Sequence, residues 1–416
     1  MIVKAEIIAI GDELLYGQIV DTNSHWISQE LDLIGVKVVH RTTVGDNRES
    51  ILSAFKAAEQ RADIILITGG LGPTSDDLTK PLLAEYFNSS IELVPEALED
   101  VRSFFSKRGR ELTELNSLQA HLPANCTYVR NDVGTAPGMW FVENGAVWMS
   151  MPGVPHEMKK LMTDFVLPEI RRRFELPVIY HKVLKTVGIG ESWLASLISD
   201  WEKQLPEHIK LAYLPSLGEV KLRLTAVGKD PQKMTDDVAE QTDKVSPLLS
   251  QYLYGFDKET LPEVVGRLLQ NKNKTVALAE SCSGGFISHM ITTIPGSSSY
   301  FNGAVVPYHN QTKISVLGVR EETLASYGAV SEETVKEMAK NVREKFNADF
   351  GLSTSGIAGP SGGSLEKPVG TIWLACDFEG GVVTKKLQLS NDREVNIRYT
   401  AVYALDLLRK CIVDRG

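Results

Sequence analysis

The stretch Ala277–Phe286, ALAESCSGGF, sets Cys282 between Ser281 and Ser283, after an apolar run and before a glycine pair. A strand that runs into a glycine-eased turn and then a helix presents a side chain at the bend, with backbone N–H groups beside it. Such a bend offers both a nucleophile and a cradle for an oxyanion, which are the requirements of amide hydrolysis. Cysteine is the better intrinsic nucleophile, but it needs a base, and the histidines of this region are His289 and His309. His289 falls within the following helix, so Cys282, flanked by small polar residues at a buried turn, reads as a core thiol. A serine can use a lysine instead, provided burial depresses the lysine pKa. VVPYHNQTKISVLGV offers Lys313 to accept a serine proton and Tyr308 to relay a proton or steady the oxyanion.

Backbone N–H groups from Ser283 through Gly284 and Gly285 are the expected oxyanion donors. Further donors for an anionic substrate lie in GIAGPSGG, with Gly356, Gly359, Gly362 and Gly363, and in Arg393 or Arg398. Arg393 opens the predicted helix NDREVNIRYTAVYALDLLRK, where the helix dipole disfavours a cation, so a ligand is expected to face it.

A second centre lies near the amino terminus. In LITGGLGPTSDDLTK, a buried strand meets Gly69, Gly70 and Gly72, which permit a tight turn and close approach of N–H groups to a ligand. The helix start just beyond makes a phosphate cradle of it. Asp76 and Asp77 would repel phosphate, and a divalent metal held by their hard oxygens resolves the conflict. GDELLYGQIVDTN, also at a strand end, brings Asp12, Glu13, Asp21 and Asn23 towards the same sheet edge.

The elements that must position these residues follow from periodicity. AEIIAIG and DIILITGG read as buried strands, and TNSHWISQELDLIG and NRESILSAFKAAEQRA as helices between them, which implies a right-handed parallel α/β sheet. From about 177 to 255, IKLAYL and EVKLRLTAVG form a hairpin signal around PSLG, flanked by helices, in a small α+β unit. From about 258 a second α/β unit with a mixed sheet begins, its helix TVKEMAKNVREKF placing Val335, Met338, Ala339, Val342 and Phe346 on one face.

A chain of 416 residues needs more than one core, and 43% hydrophobic with 23% charged residues is ordinary for a soluble globular protein. A formal charge of -9 argues against a nucleic acid as direct partner, because phosphate backbones call for clustered Lys and Arg. Four widely spaced cysteines suit a reducing compartment. The start reads as no signal peptide and no apolar run reaches spanning length, so a cytoplasmic protein with no membrane contact is expected.

The pieces GDELLYGQIVDTN, TGGLGPTSDDLT, NDVGTAPGM and MPGVPHEM resemble the molybdopterin-binding fold family, specifically its CinA branch (competence/damage-inducible protein A). The resemblance implies a phosphorylated ligand and a metal-dependent ADP-ribose pyrophosphatase over residues 1–172. Gly69, Gly70, Gly72, Thr74 and Asn23 would then bind the nucleotide, and Asp12, Asp76 and Asp77 would hold Mg²⁺, Mn²⁺ or Co²⁺. Residues 173–256 resemble the KH-type domain of CinA proteins, with VGIGES in place of a basic G-x-x-G clamp.

AESCSGG, PGSSSYFNGAVVPYHNQTK, SGIAGPSGG, KPVGT and NDR, in residues 257–416, are similar to the nicotinamide mononucleotide deamidase family. That resemblance makes Ser281 the nucleophile, with Lys313 and Tyr308 beside it and no metal, and a homodimer. Substrate contacts would come from Ser283, Gly284, Gly285, Asn310, Ser355, Gly356, Gly359, Arg393 and Arg398. Ser283, His309 and Ser355 stand where the family commonly has threonine, serine and threonine. The expected whole is a bifunctional hydrolase of pyridine-nucleotide products. The rival readings are a non-enzymatic nucleotide- or pterin-binding protein of competence or repair, and a role in molybdenum-cofactor assembly.

Overall fold

The computed structural model describes residues 2–74 and 77–415. Its contacts divide the chain into two units, Met1–Tyr180 with Val227–Met234, and His181–Ala226 with Thr235–Gly416. The first unit is built on a six-stranded sheet in the order Lys37–Val44, Lys4–Ile10, Ile64–Thr68, Ala146–Met151, Gly138–Glu143, Thr127–Val129. The first four strands are parallel, as the alternating pattern predicts. The last two run antiparallel and depart from the all-parallel expectation. The turn Asn144–Gly145, with both residues at positive φ, makes a hairpin of Gly138–Glu143 and Ala146–Met151, and Thr127–Val129 pairs antiparallel with the far side of Gly138–Glu143 to close the edge.

Apolar runs such as IIAI and IILIT are buried on both faces, because helices cover each side. One layer packs Ile7, Ile64 and Leu66 against Ile27 and Leu31 of the Thr22–Leu33 helix. The other packs Ile8 and Ile65 against Phe55 and Trp148, whose rings meet edge-on at 5.8 Å.

The second unit holds two sheets. The smaller has the order Ile209–Ser216, Glu219–Gly228, Val178–Val187, Leu253–Phe256. Its hairpin is tighter than expected: Pro215 and Ser216 belong to the strand, and Leu217–Gly218 alone turn it, with Gly218 at φ 77°. The larger sheet runs Phe301–Val305, Val276–Glu280, Phe350–Gly356, Thr371–Phe378, Gly381–Gln388. Its first three strands are parallel and the rest antiparallel, a mixed sheet as expected.

The Glu332–Lys345 helix buries Val335, Met338, Ala339 and Val342, and Ser331 caps it through the Thr334 N–H. The Arg393–Arg415 helix lies on this sheet through Ala401, Ala404, Leu405 and Leu408. Its Arg409 guanidinium pairs with Asp406 and reaches the Leu253 and Gln251 carbonyls of the smaller sheet's edge. Among the described residues, no helix is long and apolar enough to cross a membrane.

Candidate functional site

Ser281 stands at the carboxyl end of Val276–Glu280, where parallel α/β sheets place their ligands. Its N–H still donates to the Thr354 carbonyl of the neighbouring strand at 3.0 Å, which fixes the backbone beneath the hydroxyl. The chain then bends through Gly284 and Gly285, at φ 62° and 96°, conformations that disfavour a side chain. Lys313, on the short Asn310–Ser315 helix, sends its Nζ to Ser281 Oγ at 3.0 Å and to the Pro307 carbonyl oxygen at 2.8 Å.

Only 2% of Lys313 is exposed. Burial lowers its pKa, and the one charge pulling the other way is the Cys282 thiol. That thiol is itself pushed up to about 12 by burial, so at neutral pH it carries no charge to steady an ammonium. A buried lysine with no carboxylate partner is held towards its neutral form, with a lone pair available to Ser281. Cys282 is 5% exposed, packed in the core and bonded to Thr354. Reading it as a core thiol rather than the nucleophile agrees with this environment.

The oxyanion donors need correction. The Gly284 N–H donates to the Ser281 carbonyl at 3.3 Å and the Gly285 N–H to Glu280 Oε2 at 3.2 Å, so neither faces a substrate. Among the described residues, the Cys282 and Ser283 N–H groups carry no protein acceptor. Ser283 Oγ shares a 2.7 Å hydrogen bond with Thr354 Oγ1.

Tyr308 is 60% exposed, and its phenol oxygen accepts a hydrogen bond from Arg393 Nη2. Arg393 Nη1 donates to the Gly359 carbonyl at 2.8 Å, so the Tyr308 hydroxyl, expected beside Ser281 and Lys313, is instead engaged by Arg393, and Gly359, expected to offer its N–H, here accepts through its carbonyl. Arg398 does not join them; it is ion-paired with exposed Glu394 one turn away at 2.7 Å. Ser355 is buried and spends its hydroxyl on the Ala329 carbonyl at 2.6 Å. Gly356 has no room for a Cβ against Ile372, which is a packing reason for glycine there. Asn310 is exposed at the start of the lysine's helix. Sequence reasoning missed Asn396, whose buried amide holds the Ala358 and Ser390 carbonyls and so fixes the loop below Arg393.

In the first unit a cleft of about 520 Å³ opens where Lys4–Ile10 and Ile64–Thr68 end. Gly69, Gly70, Gly72, Thr74, Asn23 and Asp77 all line it. Gly69 and Gly70 have positive φ, and a side chain at Gly69 would strike the Ile10 carbonyl. Asp77 turns its carboxylate back onto the Thr74 N–H and hydroxyl, over the space that Gly72 leaves empty. Asn23 donates to Thr68 Oγ1 at 3.0 Å and to the Gly153 carbonyl at 2.7 Å, a structural tie between two walls.

Asp12 is not among the lining residues. Its carboxylate accepts the Asp46 N–H at 3.3 Å and packs over Gly45, while Asp46 accepts the Asp12 N–H at 2.9 Å. Asp76 lies outside the described residues. Two carboxylates that the sequence did not single out, Asp46 and Glu157, complete the wall with Glu13, Asp21 and Asp77. Asp21 also caps the Thr22–Leu33 helix through the Ser24 N–H. No Lys, Arg or His is among the described lining residues. Lys80, its pKa pushed down to about 8 by burial, donates to the Leu118 carbonyl instead.

Among the described residues, no three Asp, Glu, His or Cys side chains converge to cage a metal ion. The charged side chains that line the cleft, Glu13, Asp21, Asp46, Asp77 and Glu157, offer oxygen donors of the kind a hard divalent cation takes.

Comparison with known proteins matches residues 6–172 to a probable molybdopterin binding domain, 181–255 to the damage-inducible protein CinA KH domain, and 258–412 to the CinA C-terminal domain. The three-domain reading of the sequence is thereby shown. A CinA-like protein of Cytophaga hutchinsonii is 52% identical over 98% of both chains. One of Amoebophilus asiaticus is 43% identical over 98% of this chain and 99% of its own. The crystal structure of CinA from Thermoplasma acidophilum, titled as of unknown function, is 32% identical; it covers 40% of this chain and 96% of its own, with a TM-score of 0.37. Whole-length identity of this order shows that the chain belongs to the family of CinA-like proteins, with a molybdopterin-binding-like domain, a KH domain and a CinA C-terminal domain.

Proposed function

We propose that the carboxyl-terminal domain hydrolyses the carboxamide of nicotinamide mononucleotide, giving nicotinate mononucleotide and ammonia. The observation that carries this reading is the 3.0 Å contact between Ser281 Oγ and a buried lysine amine with no carboxylate partner. Neutral Lys313 takes the Ser281 proton as Oγ attacks the carboxamide carbon. The Cys282 and Ser283 N–H groups receive the oxyanion, which needs no reorganisation because their backbone is already fixed. The Lys313 ammonium then protonates the departing amine, and ammonia leaves. Water, deprotonated by the same lysine, cleaves the resulting ester and returns Ser281 and the acid. The Pro307 carbonyl holds one amine hydrogen throughout, which keeps the nitrogen facing Ser281. Arg393 lies at the position for the substrate phosphate, a charge-assisted partner near the Gly359 loop.

The test is ammonia release by the full chain on nicotinamide mononucleotide, with and without chelator. Chelator-resistant release that disappears in Ser281→Ala supports the reading, and release surviving in that variant refutes it.

A second reading concerns the first unit and rests on its cleft, where glycine N–H groups lie beside a wall whose described charged side chains are all carboxylates. We propose that it splits the pyrophosphate of ADP-ribose into AMP and ribose 5-phosphate with a bound divalent cation. Asp77 is the described carboxylate placed to hold that cation, which would neutralise the phosphate oxygens and lower the pKa of an attacking water. The glycine loop would hold the phosphates, and Ile19 and Val20, exposed at the rim, would cover the ligand. Product analysis with and without Mg²⁺ tests it. AMP formation that ignores the chelator would remove the metal from the account.

A further inference from the structure

Glu280 is completely buried, carries a carboxylate, and plays no part in the proton transfers above. It immediately precedes the nucleophile, yet it makes no ion pair among the described residues. Instead it gathers four donors from the turn that follows. Oε2 accepts the Gly285 N–H at 3.2 Å and the Ile287 N–H at 3.0 Å. Oε1 accepts the Ser288 N–H at 2.8 Å and the Ser288 hydroxyl at 2.5 Å. Burying a carboxylate is costly unless its oxygens are satisfied, and this one is satisfied entirely by chain that curls back over it.

We infer that Glu280 is the positioning residue of the oxyanion site: its side chain acts as a template on which the nucleophile's turn is wound. The assignment rests on the Ser281 hydrolase reading. The physical argument is a division of labour among consecutive N–H groups. From position 284 onward they are consumed, Gly284 by the Ser281 carbonyl, Phe286 by the Ser283 carbonyl, and Gly285, Ile287 and Ser288 by Glu280. The Cys282 and Ser283 N–H groups are left over, flanked by a strand bond at Ser281 and the templated turn at Gly285. A carboxylate is required because four donors converge on two oxygens. An amide of the same shape presents one oxygen and one NH₂, and in either orientation the NH₂ faces at least one backbone N–H that it cannot bond. Glu280 touches no substrate, so its effect must appear where the oxyanion exists and not where the ground state binds.

The experiment is steady-state ammonia release from nicotinamide mononucleotide by Glu280→Gln and Ser288→Ala, with Ser281→Ala as the control. If Ser281→Ala retains turnover, the hydrolase reading fails by itself, independently of Glu280. With that control inactive, Glu280→Gln is expected to lower kcat about 10²–10³-fold, the usual cost of losing an oxyanion donor. KM and the pH midpoint of kcat should stay as in the unmodified chain, because neither substrate binding nor Lys313 changes. Ser288→Ala removes one of the four bonds and should lower kcat a few-fold with KM unchanged. It also serves should Glu280→Gln not fold. The inference is overturned if Glu280→Gln keeps kcat within about threefold, if KM rises as kcat falls, or if the pH midpoint moves. In a merely structural role the loss would instead track the fraction of folded enzyme, read as the amount of Ser281 that a fluorophosphonate labels at completion.

Discussion

Replacing Lys313 separates a base from a cation. The amine is 2% exposed and bonded to Ser281 Oγ and the Pro307 carbonyl, so its removal deletes the proton acceptor without opening the site to solvent. Lys313→Met keeps the length of the stem, and Lys313→Arg keeps a donor but is permanently charged. Positioned general bases contribute about 10²–10⁴-fold, so both variants should lose kcat by that factor, about 3–5 kcal/mol of barrier. The unmodified protein should show kcat/KM rising with pH as the lysine loses its proton. The midpoint should lie below the ordinary value of 10.5, since burial lowers it.

Stability should report the same group. A lysine whose folded pKa lies below its unfolded value binds fewer protons when folded, so it weakens the fold at low pH. The penalty lifts as pH climbs from the folded pKa towards 10.5. Relative to Lys313→Met, the unmodified protein should gain up to about 1.4 kcal/mol per pH unit within that window. Ammonia release across pH 6–10 and urea unfolding of both chains measure the two effects. The reasoning fails if Lys313→Arg keeps more than about a tenth of the activity, or if both profiles are flat over that range.

Cys282→Ala should retain ammonia release within a few-fold, because the thiol sits in the core with its pKa near 12; loss of turnover there, with Ser281→Ala active, would reverse the assignment. Arg393→Ala should raise KM for nicotinamide mononucleotide about 10–100-fold, the scale of a lost charge-assisted contact, while Arg398→Ala, ion-paired with Glu394, should not change it. Asp77→Ala should weaken Mn²⁺ binding, followed by water proton relaxation, and slow AMP release from ADP-ribose. Ammonia release from the other domain should be untouched.

The turn at Ser281 was legible because a glycine pair after an apolar strand is a local signal, whereas the pairing of Ser281 with Lys313 came from the family resemblance, since a lone lysine after a strand is by itself more often a solvated charge. The three-domain organisation followed from alternating apolar runs and from motif order. The destination of each backbone N–H was not legible. Gly284 and Gly285 looked like oxyanion donors until Glu280 and the Ser281 carbonyl were seen to occupy them. Arg393 and Arg398 differ by five residues, and only the fold shows that one meets Gly359 while the other pairs along the helix with Glu394. Asp46, on the loop after Lys37–Val44, and Glu157, in the first turn of the Pro155–Leu161 helix, enter the cleft from parts of the chain far from the glycine turn, a convergence set by sheet order and not by spacing. Asp12 was drawn to the motif by its neighbours, but its N–H and carboxylate are engaged with Asp46.

The acidic wall of the first cleft bears on how ionic strength should act there. Most nucleotide sites lose affinity in salt because attraction between lysine or arginine and phosphate is screened. Here the described side chains around the opening are neutral or negative, so what mobile ions screen is repulsion. Carboxylates within a Debye length of about 8 Å of a bare anion such as inorganic phosphate repel it, and added salt weakens that repulsion. A ligand whose charge is already matched by a cation would meet less of that repulsion than a bare anion of the same shape.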